Sequence, residues 1–124
     1  MIIADTSIWI EFLKGNESIF EKMKELLETS KILGLSVIFG ELLQGSKNKN
    51  ERNIIYNYWK YIPKYNEENI FIEAGLYSCE HKLISKGVGL IDATLLVISE
   101  NTNSQIWTLD KKLNNIVPKE LLFK

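Results

Sequence analysis

The chain has 124 residues, 45% of them hydrophobic and 25% charged, with a formal net charge of −1 and a pI near 5.9. That balance fits one ordinary globular domain and excludes recognition of nucleic acid by bulk positive charge. A single cysteine, Cys79, excludes an internal disulfide, and the longest uncharged apolar run, Ile32 to Gly40, falls well short of the ~20 residues that a membrane span needs.

The amino terminus carries no positive leader segment, so the expected setting is the cytoplasm. Ile2, Ile3 and Ala4 form an apolar run that ends in Asp5, followed by Thr6 and Ser7 and then by Ile8, Trp9, Phe12 and Leu13 at helical spacing. This reads as a buried strand, an acid at its carboxyl end, and a helix capped by Thr6 or Ser7. Gly15 ends that helix, and an amphipathic helix is expected from Asn16 to Thr29. Ile32 to Leu35 reads as a second buried strand, with Ser36 as the cap of a helix that carries Glu41 and stops at Gly45. After the basic loop Ser46 to Asn50 comes a helix rich in aromatic residues, and Tyr61 to Pro63 reads as a short edge segment.

One long helix is expected from about Glu67 to Lys86, apolar on two faces and so sandwiched within the fold or against another subunit, with His81 as a packed or hydrogen-bonded structural residue. An almost wholly apolar helix starts near Leu90 with Asp92 in its first turn, where acids are common caps. Gln105 to Asp110 repeats the opening pattern of an apolar strand running into an acid, and the last residues suggest an added edge strand. Strands alternating with helices predict an α/β fold in one domain, with a mainly parallel sheet and helices on both faces.

The chain has thirteen glutamates but only three aspartates, Asp5, Asp92 and Asp110, each where an apolar segment meets a turn or a helix start. Parallel strands present their carboxyl ends on one side, so Asp5 and Asp110 should emerge together, with Glu41 and Asp92 able to join them. Clustered carboxylates repel, and a hard divalent cation such as Mg²⁺ or Mn²⁺ relieves that repulsion with oxygen ligands. Such a site suits phosphodiester hydrolysis by an activated water. A single histidine leaves no histidine acid–base pair, and nothing resembles a cysteine–histidine zinc cluster.

Four blocks then carry a resemblance: Ile3 to Ser7, Ser36 to Gly45, Leu90 to Ala93, and Trp107 to Asp110. In order and spacing they resemble the PIN domain, and in particular the toxin ribonucleases of VapBC toxin–antitoxin pairs. The resemblance implies a single PIN-like nuclease domain over residues 1–124, with a mainly parallel central sheet of four to five strands. It places catalytic and metal-binding roles on Asp5, Glu41, Asp92 and Asp110, with Thr6, Ser7 and Thr108 supporting them. It implies Mg²⁺- or Mn²⁺-dependent endonucleolytic cleavage of RNA, a VapB-like antitoxin and a homodimer, with no membrane. Candidate RNA contacts are Lys47, Lys49, Arg52, Lys111 and Lys112. The rival readings are a PIN-fold binding module without activity and a receiver-type signalling domain. The latter lacks an aspartate after a central strand, since none occurs between Asp5 and Asp92.

Overall fold

The computed structural model describes all of residues 1–124. The elements are β1 (Ile2–Ala4), α1 (Thr6–Leu13), α2 (Glu17–Glu28), α3 (Ser36–Gln44), α4 (Lys49–Tyr61), α5 (Ile70–Glu80), α6 (Leu90–Thr102), β2 (Gln105–Trp107) and α7 (Lys111–Ile116), with 3-10 turns at Ile84–Lys86 and Lys119–Leu121. The chain divides into two compact units, Ala4–Tyr65 and Met1–Ile3 with Asn66–Lys124. No helix is long and apolar enough to cross a membrane.

In the 4–65 unit the apolar positions of the first half meet as an aromatic cluster. Trp9 lies edge-on to Phe12 and Phe39 and tilted against Tyr58, with centroids 5.0–5.9 Å apart, and Phe12 stacks on Phe20 at 5.2 Å. Of the aromatics in and after α4, Tyr58 and Trp59 join this packing while Tyr56 and Tyr61 stay exposed. The expected strand at Ile32 to Leu35 is reduced to bridging: Gly34 pairs in parallel with Lys64. The Gly34 amide donates to the Pro63 carbonyl at 2.6 Å, and the Tyr65 amide donates to the Gly34 carbonyl at 3.1 Å.

That pairing requires a glycine. A Cβ at residue 34 would stand 2.6 Å from Ile62 Cδ1 and 3.2 Å from the Pro63 carbonyl oxygen. Gly34→Ala is therefore expected to cost about 1–3 kcal/mol by overpacking, measured by urea unfolding. Adding Ile62→Val, which removes Cδ1, should recover part of that loss. Strict additivity of the two changes would show that the clash does not exist.

In the 66–124 unit, α6 is the core element, buried continuously from Ala93 to Ser99, and α5 packs against it through Ala74 and Ser78. Helix α6 ends at Asn103 in the left-handed conformation, and the Ser99 hydroxyl donates to the Ser104 carbonyl across this turn. Strand β2 pairs with β1 in parallel. The expected carboxyl-terminal edge strand is a single parallel bridge between Ile106 and Leu122, supported by the Phe123 amide donating to the Ile106 carbonyl at 2.9 Å.

Three expectations need correction. The sheet has two strands, not four to five: beyond the β1–β2 pair, the pairing at Gly34–Lys64 and at Ile106–Leu122 stays an isolated bridge and does not extend into a ladder. The long helix from Glu67 to Lys86 is interrupted: α5 ends at Glu80, Lys82 takes a left-handed φ of 54°, and a separate 3-10 turn follows. The α5 face carrying Phe71, Ile72 and Leu76 is exposed and is not covered within the chain. Finally, Ser36 opens α3 but does not cap it. Leu35 holds the cap position without a side-chain bond.

Candidate active site

The candidate acids fall in both compact units. In the 4–65 unit, β1 delivers Asp5 to the start of α1. Asp5 itself is the N-cap, with its Oδ1 accepting from the Ile8 amide at 3.2 Å and from the Ser7 hydroxyl. The expectation that Thr6 or Ser7 would cap this helix is therefore corrected. An aspartate in extended conformation can turn its carboxylate onto the third amide of the helix, and it does so here. Asp5 is only 7% exposed, which obliges its carboxylate to find such donors.

Freed from capping, Thr6 donates from Oγ1 to Glu41 Oε1 at 2.7 Å. Helix α3 packs on α1, so Glu41, in the second turn of α3, reaches the residue next to Asp5. One acid is buried and rigidly held. The other is exposed and held by a single hydroxyl.

In the 66–124 unit, β2 leads through Thr108 to Asp110, the N-cap of α7. Asp110 Oδ1 accepts from the amides of Lys112 at 2.8 Å and Leu113 at 3.3 Å. The Thr108 hydroxyl oxygen accepts from the Asp110 amide at 3.0 Å. Asn114 clamps the same turn from the other side, donating to the carbonyls of Thr108 and Asp110, both at 3.1 Å. Asn114 is a positioning residue that the sequence reading missed. Its signal was an amide side chain four residues after an acid that starts a helix.

Asp92 occupies the first turn of α6 and is half-buried, and the cap position belongs to Gly89, which offers no side chain. Asp5, Asp92 and Asp110 thus all stand at helix amino termini, where unpaired amides and the helix dipole favour negative charge. Lys47, Lys49, Arg52, Lys111 and Lys112 are all exposed.

Nowhere does the structure gather three or more His, Cys, Asp or Glu side chains as a ready metal-ligand set. The donor chemistry nevertheless suits a hard cation, because Asp5 and Glu41 in one unit and Asp110 in the other are hydrogen-bonded to hydroxyl side chains, those of Ser7, Thr6 and Thr108 respectively. Mg²⁺ is commonly held by one or two carboxylates, with water and substrate phosphate completing its shell.

Comparison with known proteins places this chain in context. The family model described as "PIN domain" matches residues 2–117, running through both compact units. Ribonuclease VapC32 from two strains of Mycobacterium tuberculosis is 27% identical over 116 residues, covering 91% of this chain and 87% of the relative. Among solved structures, VapBC2 from Rickettsia felis, bound to a DNA fragment from its promoter, matches with a TM-score of 0.73. It is 20% identical over 100% of this chain and 98% of that one. FitAcB from Neisseria gonorrhoeae matches at 0.61, with 18% identity over 91% and 90% of the two chains. PAE2754 from Pyrobaculum aerophilum matches at 0.62, with 11% identity over 90% and 81%. These likenesses establish a shared fold. With a family model spanning nearly the whole sequence, the chain belongs to the PIN-domain family.

Proposed function

We propose that this PIN-domain protein is an endoribonuclease, the toxin of a VapBC-type toxin–antitoxin pair, acting in the cytoplasm as one nuclease domain over residues 1–124. The observation that carries this reading is the repeated unit of strand, aspartate and capped helix at Asp5 and Asp110, within a family match to residues 2–117. The names of the relatives, a VapC ribonuclease and a VapBC complex, agree with it.

In this reading Asp5, Glu41, Asp92 and Asp110 serve one reaction and would hold Mg²⁺ or Mn²⁺. When bound, such a cation supplies a water activated for attack and offsets charge on the phosphate. The chain's own residues do the positioning. Ser7 and the Ile8 amide fix the Asp5 carboxylate, Thr6 steadies Glu41, and the amides of Lys112 and Leu113 fix Asp110. Preorganised groups of this kind need little rearrangement as charge develops on the phosphate. Attack at phosphorus with departure of the 3′ oxygen leaves 3′-hydroxyl and 5′-phosphate ends. The proposed partners are RNA, a VapB-like antitoxin and a second copy of the chain, the last seated on the exposed α5 face of Phe71, Ile72 and Leu76.

The test is cleavage of an end-labelled RNA by the purified chain. Cleavage is expected with Mg²⁺ or Mn²⁺, to be abolished by EDTA and restored by excess cation, with 5′-phosphate ends on the products. Cleavage that persists in EDTA would remove the metal assignment. No cleavage under any condition would favour a PIN-fold binding module.

A further inference from the structure

On the 66–124 unit, the end of α5, the Ile84–Lys86 turn and α7 enclose an open groove of about 500 Å³. Its floor is apolar, formed by Leu83 and Leu96, and its walls carry Tyr77, His81, Lys86 and Lys112. None of the four acids lines it.

The walls are built rather than incidental. Tyr77 and His81, four residues apart, stack at a centroid distance of 4.0 Å with their planes 18° apart. A carbonyl can only accept, so His81 Nδ1 donates to the Tyr77 carbonyl at 3.0 Å, which pins the imidazole on the phenol. The Tyr77 hydroxyl donates to Glu100 Oε1 at 3.2 Å. Partial burial, with the Glu100 charge beside it, pushes the phenol pKa up, so this donor persists at neutral pH. His81 itself is exposed, leaving a fixed aromatic surface open to solvent.

The cations are also placed. Gly87 has a left-handed φ of 77°, and the site where a Cβ would stand is 3.3–3.5 Å from Nζ, Cδ and Cε of Lys112. The lysine stem therefore lies across the bare turn, a path that a side chain at residue 87 would block. Lys86 ends the same turn and is exposed, and neither ammonium enters an ion pair. The Lys112 amide is the group that donates to Asp110 Oδ1 at 2.8 Å, so one wall of the groove shares its backbone turn with a proposed catalytic acid.

An open aromatic surface flanked by uncompensated ammonium groups, over an apolar floor, has the chemistry of a single-stranded nucleic-acid subsite. Any base can stack on the ring while the cations track the phosphates. We infer that this groove holds single-stranded RNA flanking the cut, with a base stacked on His81 and its phosphate between Lys86 and Lys112. The inference rests on the ribonuclease reading for its ligand and extends that reading to Tyr77, His81 and Lys86, which no acid-site argument includes.

The test is fluorescence anisotropy of a labelled eight-nucleotide single-stranded RNA with the full chain in EDTA, alongside cleavage assays in Mg²⁺. His81→Ala should raise Kd about ten-fold, the scale of one lost stacking contact, while His81→Phe should stay near wild type. Lys86→Ala and Lys112→Ala should each weaken binding and flatten the plot of log Kd against log salt by about 0.7 per lost phosphate contact. Equal Kd and salt slope in wild type and all variants would overturn the inference, as would a wild type that binds no RNA. Loss of self-association in the lysine variants with RNA affinity unchanged would overturn it too, assigning the groove to a second copy. Normal cleavage with binding insensitive to the variants removes the subsite alone. Variant-sensitive binding without any cleavage removes the nuclease reading and leaves the subsite standing.

Discussion

Asp5→Asn is expected to abolish most RNA cleavage while leaving the fold almost as stable as before. The asymmetry follows from the two jobs of this side chain. As an N-cap, Asp5 needs only an oxygen that accepts from the Ile8 amide, and asparagine caps a helix about as well as aspartate does. As a proposed cation ligand it needs charge, and asparagine has none. The loss of one preorganised electrostatic group at a reacting centre costs on the order of a hundred-fold or more in kcat. Asp5→Ala should lose the same activity and also about 1 kcal/mol of stability, because the cap goes with it. Steady-state cleavage rates beside urea unfolding curves make the distinction. An Asp5→Asn protein that cuts RNA at the wild-type rate would reduce Asp5 to a cap. Asp110→Asn separates cap from charge in the same way, since its carboxylate also bonds the first amides of the following helix.

That dual use explains what was readable in the sequence and what was not. The pattern of apolar run, acid and helix was visible twice, because a buried three-residue strand and a cap are both written in local residue types. Helices α2 and α6 were equally legible. The first shows one clean apolar stripe, and the second is so apolar that only a buried position suits it. The break after Glu80 was not legible. No glycine or proline marks it, and the chain turns at Lys82, where left-handed backbone is rare. The Leu83 amide closes that turn onto the Ser78 carbonyl, a bond set by packing rather than by propensity. The number of strands was overestimated for a related reason. Apolar runs report burial, and Ile32 to Leu35 is largely buried, but ladder pairing depends on a neighbour that Gly34 finds only at Lys64. His81 illustrates the remaining gap. The sequence marks it as a packed or hydrogen-bonded structural residue, and it does stack on Tyr77 and bond that residue's carbonyl, but its exposure and the groove it shares with Lys86 and Lys112 are set by tertiary structure.

Trp9→Ala should give the opposite phenotype to Asp5→Asn, a large loss of stability with chemistry retained by whatever fraction remains folded. Trp9 is 1% exposed and touches three rings, Phe12, Phe39 and Tyr58, drawn from α1, α3 and α4. Removing a buried tryptophan costs about 3–5 kcal/mol, combining the lost transfer free energy with the cavity left behind. The edge-on ring pairs add to this beyond their buried area. Against a total stability of about 5–15 kcal/mol for a typical domain, that loss approaches the whole margin at the low end. Trp9→Phe keeps a ring in the cluster and should cost clearly less. Far-UV circular dichroism is the suitable probe of urea unfolding, because the substitution removes one of only three tryptophans. The Trp9 amide donates to the Asp5 carbonyl at 3.2 Å, a main-chain bond that the truncation leaves in place. The acid's geometry should therefore survive in folded molecules, and kcat corrected for the folded fraction should stay near wild type. A loss below about 1 kcal/mol, the ordinary scale of a peripheral substitution, would mean that the aromatic cluster does not hold α1, α3 and α4 together. An activity loss exceeding the unfolded fraction would mean instead that Trp9 helps to position Asp5.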